Sequence, residues 1–381
     1  MTPTDGQLGL QQPHLRAPFE YVFPAIRGVQ AGREYYTSMC PLRLIPKIFL
    51  FDEAELVPEL RAQRILNKAR VPEIARYITS NPSTYIFSAI TASIDAEVRF
   101  EPLAAGAEGS RVGLLHIPMS ARFIINDGQH RRAAIEMALR DRPEIGNETI
   151  AVVFFLDLGL EKCQQMFADL NRYAVRPSRS IGVLYDHRDE AAELARVVVM
   201  RSPVFHDVVE MERSTLSARS RKLFTLSAIY SATSALIAGL DVGATFESKR
   251  DRASQYWEEV AKQFPEWQLV RERKITAGEV RQDYLHSHGV VLQALGRAGN
   301  ALLRQSTDGS WKSSLRSLKK IDWSRANTKL WEGRAMVGGR VQKAEQNVTL
   351  TTNLIKRFLK IPLSPEEQRV EDAFMRGRNV K

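Results

Sequence analysis

Residues 120–139, SARFIINDGQHRRAAIEMAL, carry the sharpest local structural signal in the sequence. Three consecutive apolar residues at 123–125 indicate a short buried strand, and Asn126-Asp127-Gly128 is typical of a turn. Residues 131–140 are rich in Ala, Met, Leu and Glu, which favour a helix. The stretch therefore predicts a strand, a turn and a helix, in which Asp127 caps the helix or its entry turn.

The flanking segments extend this pattern into a layered α/β domain. Residues 150–156 form a second continuous apolar strand, and residues 161–173 have a helical pattern. Upstream, strands are predicted at 21–23, 42–45 and within 85–100, and helices within 60–78. This order predicts an α+β domain in which loops at one edge of a small sheet carry the functional site.

The remainder of the chain is predicted to be mostly helical. Helical patterns occur at residues 191–200, 223–239, 255–264, 281–303 and 350–359. A charged run at 186–189, DHRD, separates the two regions. The 381 residues are therefore predicted to divide into a loose tail at 1–18, an α/β domain at 19–187 and a helical, basic domain at 188–381.

The net charge of +10 is concentrated near the C-terminus. Residues 311–381 contain sixteen Lys or Arg and seven Asp or Glu, which gives this region +9. A basic region can collect a polyanion, because each phosphate that it neutralises releases condensed counterions. It can equally be a well-solvated surface, so the charge alone leaves both interpretations open.

Several classes of protein are disfavoured by the sequence. Its apolar runs are shorter than the roughly 20 residues that span a bilayer, and the N-terminus lacks the features of a signal peptide, so a cytoplasmic protein is expected. Cys40 and Cys163 are far apart and lie in no zinc-binding spacing. We expect two reduced thiols and no metal site.

The first turn of the central helix predicts an anion site. A helix that starts after a glycine presents unpaired amides and the positive end of its dipole to a ligand. Gly128 allows close approach, and donors follow at Gln129, His130, Arg131 and Arg132. The predicted ligand is a phosphate or a nucleotide. A polar first turn with a purely structural role is also common, and that alternative stays open.

The residues around this turn resemble a known family. INDGQHR at 125–131, followed by Ala133, Ala134 and Ile135, is similar to the hallmark of DGQHR-domain proteins, and the wider chain resembles the DndB family of DNA phosphorothioation systems. Supporting runs lie at 63–67, 74–78, 167–171, 175–178, 216–220, 222–226, 322–323 and 331–336. The resemblance covers residues from about 27 to about 374.

The resemblance implies a regulator that binds promoter DNA of the operon for sulfur insertion into DNA backbones. It implies double-stranded DNA as the partner, other proteins of the phosphorothioation system and a second copy of the chain as further partners, and a location in the cytoplasm at the nucleoid. It also implies a first domain similar to the ParB/sulfiredoxin superfamily. His130 stands where ParB-like proteins usually have Arg, and the motif lacks the sulfiredoxin cysteine, so sulfiredoxin chemistry is not expected.

Predicted DNA contacts outside the hallmark lie on loops and in the basic region, where Arg, Lys and Ser commonly bind phosphate. They are Arg64, Arg172, Arg176, Ser178, Arg179, Arg219, Arg221, Lys222, Lys319, Lys320 and Arg334. Trp311, Trp323 and Trp331 are interleaved with the last of these, and we expect at least two of the three to be buried. Residues 58–78 and 343–359 are alternative DNA-reading helices.

Two other functions remain open beside the regulator. The first is a nucleotide hydrolase or DNA-nicking phosphoesterase, in which His130 moves a proton and Asp127 holds a divalent ion. Its ligands would be ATP and Mg²⁺, whereas a regulator without turnover needs no cofactor. The second is a non-catalytic subunit that recruits partners of a modification or restriction system.

Overall fold

The computed structural model describes residues 19–49, 69–106, 108–156, 165–166, 168–170, 177–240, 243–305 and 309–379. The chain divides into two compact units, Met1–Val175 and Arg176–Lys381. The predicted boundary at 187/188 stays a prediction, although the first helix of the second unit lies before it. The predictions for residues 1–18, Arg64, Cys163, Arg172 and Arg176 fall outside the described residues.

The first unit is built on a mixed seven-stranded sheet. Its strands are β1 (Glu20–Gln30), β2 (Arg33–Pro41), β3 (Ile90–Asp95), β4 (Arg99–Pro102), β5 (Val112–Pro118), β6 (Arg122–Asp127) and β7 (Thr149–Leu156). They lie in the order β4-β5-β1-β2-β7-β3-β6, with β3 and β7 parallel and the other pairs antiparallel. The long connection between the parallel strands β3 and β7 contains β6 and the helix that follows it.

Helices in the described part of this unit accompany the sheet. They are α1 (Ile45–Ile48), α2 (Arg70–Ser80) and α3 (Gln129–Asp141). Ile135 and Ala138 of α3 are fully buried in the core that covers the sheet. Ala134 packs instead with Val71 and Ala75 of α2. Because α3 buries residues on two faces, it joins the sheet to α2 and fixes where its own first turn lies.

The predicted strand at 42–45 is wrong. Residues Leu42–Leu44 form a 3-10 helix and α1 follows directly, with Pro46 in its first turn. Leu42 and Ile45 are both buried. Their spacing of three residues suits one face of a helical turn, and proline is favoured at the start of a helix, so tertiary packing overrides the β-propensity of this run.

Strand β6 contains a bulge next to the predicted turn. Thr91 of β3 pairs with Asp127, but Ala92 pairs with Ile125, so Asn126 is the extra residue. Asn126 is fully buried, and its Nδ2 donates to Ser93 Oγ at 2.7 Å. The strand therefore continues through two of the three predicted turn residues, and only Gly128 separates it from α3.

The second unit is mostly helical, as predicted. Its longer helices are α4 (Arg179–Tyr185), α5 (Glu190–Arg201), α6 (Leu226–Ile237), α7 (Phe246–Ala261), α8 (Pro265–Arg271), α9 (Ala277–Asp283), α10 (Gly289–Gln305), α11 (Glu345–Phe358) and α12 (Pro365–Asn379). Two short strand pairs, β8 (Val209–Glu210) with β9 (Phe224–Thr225) and β10 (Met336–Val337) with β11 (Arg340–Val341), complete it. The α+β fold class with a helical second half is confirmed.

The predicted helix at 281–303 is interrupted. Residues 284–288 separate α9 from α10, because Tyr284 bridges to Ser324 and the Leu285 amide donates to the Trp323 carbonyl at 2.9 Å. Trp311, Trp323 and Trp331 are all buried, which confirms the expectation that at least two would be. These three tryptophans of the basic region therefore belong to the core.

Two further features bear on the sequence predictions. Cys40 is a free, buried thiol on β2, and burial raises its pKa to about 12. In the part of the chain that the structure describes, every helix is too short or too polar to cross a lipid bilayer.

Arg334 forms a buried ion pair that anchors α12. Its Nη1 lies 2.9 Å from Glu371 Oε2, and it also donates to the Leu350 carbonyl at 2.8 Å. Arg334 is 4% exposed and Glu371 is 0% exposed. Burial by itself raises the pKa of Glu371, but Arg334 and Arg357 outweigh it and the net pKa is lowered. Arg334 is thus a packing residue, which removes it from the predicted DNA contacts.

We expect Glu371→Ala to lower the free energy of unfolding by roughly 3–5 kcal/mol, because it leaves the Arg334 guanidinium buried without its counter-charge. Denaturant unfolding measures this loss. The matched control is Asp372→Ala, since Asp372 is the next residue of α12 and is exposed. It should cost less than about 1 kcal/mol. Equal costs for the two variants would contradict the structural role of the pair.

Candidate functional site

The link between β6 and α3 requires a glycine. Gly128 has φ 111° and ψ 13°, in the left-handed region that side chains rarely adopt. A Cβ on Gly128 would lie 3.0 Å from Ile90 Cγ1 and 3.2 Å from Arg131 Nε. Backbone conformation and crowding thus both demand glycine here. The turn leaves the first amides of α3 without a side-chain cap.

Arg131 folds back over this turn. Its Nη2 donates to Asp127 Oδ2 at 2.7 Å, and its Nη1 donates to Ser88 Oγ. The arginine side chain is 16% exposed, whereas that of Asp127 is 48% exposed. Arg131 Nε is buried and has no hydrogen-bond partner among the described residues. Arg131 therefore supports the turn from inside, and Asp127 lies at its outer side.

Two other predicted donors are held by the protein itself. Gln129 is buried and its Nε2 donates to the Ile125 carbonyl at 3.1 Å. Arg132 donates from Nε to the Phe49 carbonyl at 2.9 Å and from Nη2 to the Pro46 carbonyl at 3.2 Å. These side chains join α3 to neighbouring segments. The backbone amides of the turn, rather than these two side chains, remain as donors for a ligand.

His130 lies in an electropositive position at the start of α3. Burial lowers its pKa, the charges of Arg70 and Arg131 lower it further, and Asp127 acts in the opposite direction. The imidazole is therefore neutral near pH 7. Arg70 begins α2 and was missed by the sequence analysis, because nothing in the sequence links it to a turn 58 positions later.

A second cationic site lies in the second unit. Arg219, Arg221 and Lys222 line a cavity of about 900 Å³ together with Arg271 and Arg273. We call this cavity, with its five cations, the basic groove. The arginines at 219, 221 and 273 form no side-chain hydrogen bond or ion pair within the described part of the chain, and Asp207 is the one acidic residue of the lining. The groove can therefore accept several phosphate groups.

A single arginine holds the loop that supplies three of these cations. Arg281 Nη2 donates to the carbonyls of Ser217 at 2.8 Å, Ser220 at 3.2 Å and Ala218 at 3.3 Å. Its Nη1 donates to the Lys222 carbonyl. Burial lowers the pKa of Arg281. The loop at 217–222 therefore depends on one guanidinium for its position.

Comparison with known proteins assigns the family. The DndB family, described as DNA-sulfur modification-associated, matches residues 23–362. The chain belongs to the DndB family. This membership associates it with DNA sulfur modification, as the resemblance implied. No curated protein and no solved structure matches the chain.

The remaining predicted DNA contacts of this DndB-family protein lie outside both the Gly128 turn and the basic groove. Ser178 caps α4, because its Oγ accepts from the Ile181 amide at 3.2 Å. Arg179 is exposed, with its guanidinium 5.7 Å from the centre of the Tyr230 ring. Lys319 and Lys320 are exposed at the end of a 3-10 helix, Leu315–Lys320. Arg271 and Arg273 were missed, because only tertiary packing brings them to the loop at 217–222.

We expect Gly128→Ala to lower the free energy of unfolding by about 1–3 kcal/mol and to displace Arg131. Gly106→Ala is the matched control, since Gly106 has φ 108° but nothing within 4 Å of an added Cβ. Both variants carry the backbone penalty, and only Gly128→Ala adds crowding. Denaturant unfolding should show the larger loss for Gly128→Ala; a larger loss for Gly106→Ala would contradict the packing described for the turn.

We expect Arg70→Met to raise the pKa of His130, because it removes a positive charge that disfavours the imidazolium. Titration of the His130 ring protons by NMR measures the change. Arg76→Met is the control, since Arg76 is an exposed residue of the same helix that does not contribute to the shift. A pKa of His130 that stays unchanged in Arg70→Met would refute the electrostatic role of Arg70.

Proposed function

We propose that this DndB-family protein binds promoter DNA and regulates the transcription of a DNA-sulfur-modification operon. The observation that carries the proposal is the basic groove, in which five cations from two separate segments line one cavity. Membership of a family associated with DNA sulfur modification supplies the biological setting. The predicted DNA-nicking or nucleotide-hydrolysing activity and the partner-recruiting role stay predictions.

The chemistry of the groove suits a phosphodiester backbone. Arg219, Arg221 and Arg273 are exposed and their guanidinium groups are not engaged by acids of the described residues. Such groups can bind phosphate oxygens in a bidentate way, and each bound phosphate releases condensed counterions from the duplex. These contacts position a protein on DNA without reading its sequence. The groove therefore accounts for affinity, and a separate element must supply preference for the promoter.

Other features support contact with phosphate. Lys319 and Lys320 add two exposed charges in the second unit. In the first unit, the uncapped start of α3 presents backbone amides at the Gly128 turn, with the charges of Arg70 and Arg131 nearby. Amides at a helix start favour an anion because they coincide with the positive end of the helix dipole. We propose that this turn binds a further phosphate.

We expect the double variant Arg221→Ala/Arg273→Ala to bind duplex DNA roughly tenfold more weakly than the wild type near physiological salt. The loss of affinity should be about equal for promoter and unrelated duplexes. The slope of log K against log salt concentration should become shallower by about 1 for each phosphate that the variant no longer neutralises. Fluorescence anisotropy with both duplexes across a salt series measures these quantities.

The matched control is Lys262→Ala, because Lys262 is an exposed cation of the same unit that pairs with Glu259 at 2.6 Å outside the groove. It should leave affinity and salt dependence nearly unchanged. The proposal fails if the wild type does not bind duplex DNA at low salt. The groove is excluded as the interface if the double variant binds like the control.

A further inference from the structure

The hairpin of β10 and β11 projects from the second unit. Val337 and Arg340 pair directly across it, and Gly338 and Gly339 form the turn between them. All four residues are exposed. A Cβ on either glycine would meet nothing within 4 Å among the described residues, so the tip is surrounded by open space. The tip is therefore accessible to a ligand as large as DNA.

The turn of this hairpin is held in one conformation. Gly338 has φ 57° and Gly339 has φ 73°, which suits a type I′ turn, in which both central residues are left-handed. Glu332 Oε1 accepts from the Gly338 amide at 2.5 Å, and Glu332 Oε2 accepts from the Gly339 amide at 3.3 Å. Because the two strands are only two residues long, this carboxylate supplies much of the support of the tip.

Arg340 brings a positive charge to the tip that the protein does not neutralise. Its guanidinium forms no side-chain hydrogen bond or ion pair within the part of the chain that the structure describes. Glu332, the acidic side chain at the turn, uses both carboxylate oxygens on the turn amides. Val337 is 50% exposed and lies opposite Arg340, on the same face of the hairpin. The tip thus presents one guanidinium beside one small apolar group.

Arg325 connects the hairpin to the basic groove. Its Nη2 donates to the Gly339 carbonyl at 3.4 Å, and its Nη1 donates to the Arg281 carbonyl at 3.3 Å. Arg281 in turn holds the loop at 217–222, which carries three of the groove cations. The hairpin tip and this loop are therefore positioned by contacts to the same residue. A duplex whose backbone lies in the groove passes beside the hairpin.

The shape and chemistry of the tip suit the minor groove of DNA, which is about 6 Å wide. The two turn glycines carry no side chain, so the backbone of the tip can approach the rim of this groove and insert Arg340. Runs of A·T pairs narrow the minor groove and strengthen its negative potential, which attracts an inserted arginine. Sequence is read in the major groove by several donors and acceptors, whereas Arg340 is the long polar side chain of this tip.

We propose that the hairpin of β10 and β11 reads A·T-rich minor groove in the promoter through Arg340. Val337 packs beside the sugars of the groove wall, and Glu332 is a positioning residue that holds the turn. The basic groove supplies affinity through phosphates, and the hairpin supplies the sequence preference that phosphate contacts lack. This inference rests on the proposed function, because it assigns the element that distinguishes the promoter from other DNA.

The test uses the full chain and fluorescence anisotropy with the promoter duplex and with an unrelated duplex that lacks A·T runs. We expect Arg340→Ala to lower the ratio of the two affinities roughly fivefold or more, because the lost contact depends on the shape of the promoter. Binding of the unrelated duplex should weaken less than about threefold, since at most one phosphate contact is lost. Glu332→Ala should lower the ratio by a smaller factor, because the arginine remains.

The matched control is Arg376→Ala, which removes an exposed arginine of α12 outside the groove lining and the hairpin. It should keep the wild-type ratio of affinities. Arg340→Ala should unfold in denaturant at the wild-type midpoint, because the side chain is exposed at the tip of a turn. A lost preference at an unchanged midpoint therefore reports the DNA contact.

Inosine separates minor-groove from major-groove reading. An inosine·cytosine pair presents the minor-groove pattern of A·T and the major-groove pattern of G·C, because inosine lacks the 2-amino group of guanine. We expect the wild type to bind a promoter with inosine·cytosine in its A·T runs within about twofold of the native duplex. The same runs replaced by G·C should weaken binding roughly fivefold or more. Equal losses for both replacements would assign the reading to the major groove and overturn the inference.

The outcomes distinguish this inference from the proposed function. If Arg340→Ala keeps the wild-type ratio of affinities, the inference is overturned and the proposed function stands. The inference is also overturned if the wild type binds promoter and unrelated duplexes with equal affinity. If the wild type binds no duplex at low salt, the proposed function fails and the inference fails with it.

Discussion

The first unit depends on the left-handed conformation of Gly128. This residue lets a strand that ends within the sheet continue directly into α3, which packs on both the sheet core and α2. A residue with a side chain would meet Ile90 and the folded-back Arg131 at this point. The ion pair between Arg131 and Asp127 lies across the same turn. Conformation, packing and charge are thus determined together by one position without a side chain.

The second unit organises its charges differently. The cations of its basic groove, apart from Arg271, lie outside helices and strands, and polar contacts set where the loop at 217–222 runs. Arg281 fixes the loop at 217–222 through its carbonyls, and Arg334 fixes α12 through Glu371. Arg281 therefore sets where the exposed cations of the loop at 217–222 lie, whereas Arg334 sets the position of α12. The cost of burying these guanidinium groups is offset because both Nη atoms of each donate to protein acceptors.

Local sequence patterns predicted the fold class and part of the site. The apolar run before Gly128 and the helix-favouring run after it were read correctly, because strand, glycine and helix signals occur there in immediate succession. The strand order could not be predicted, since it depends on pairing between β3 and β7, which lie far apart in the sequence. Arg70 and Arg273 were missed for the same reason. Arg334 was misread because its partner, Glu371, follows 37 positions later.

The bulge at Asn126 determines which side chains of the hallmark face inward. In a regular strand, neighbours alternate between the two faces. Here Ile125 and Asn126 are both buried, and Asp127 turns outward to reach Arg131. The hallmark thus contains a bulge, which changes the face of the strand to which the following side chains point, as well as a set of ionisable groups. A homologous chain that kept the same residues but lost the bulge would expose a different residue beside the Gly128 turn, so we expect the irregular pairing with β3 to accompany an intact motif.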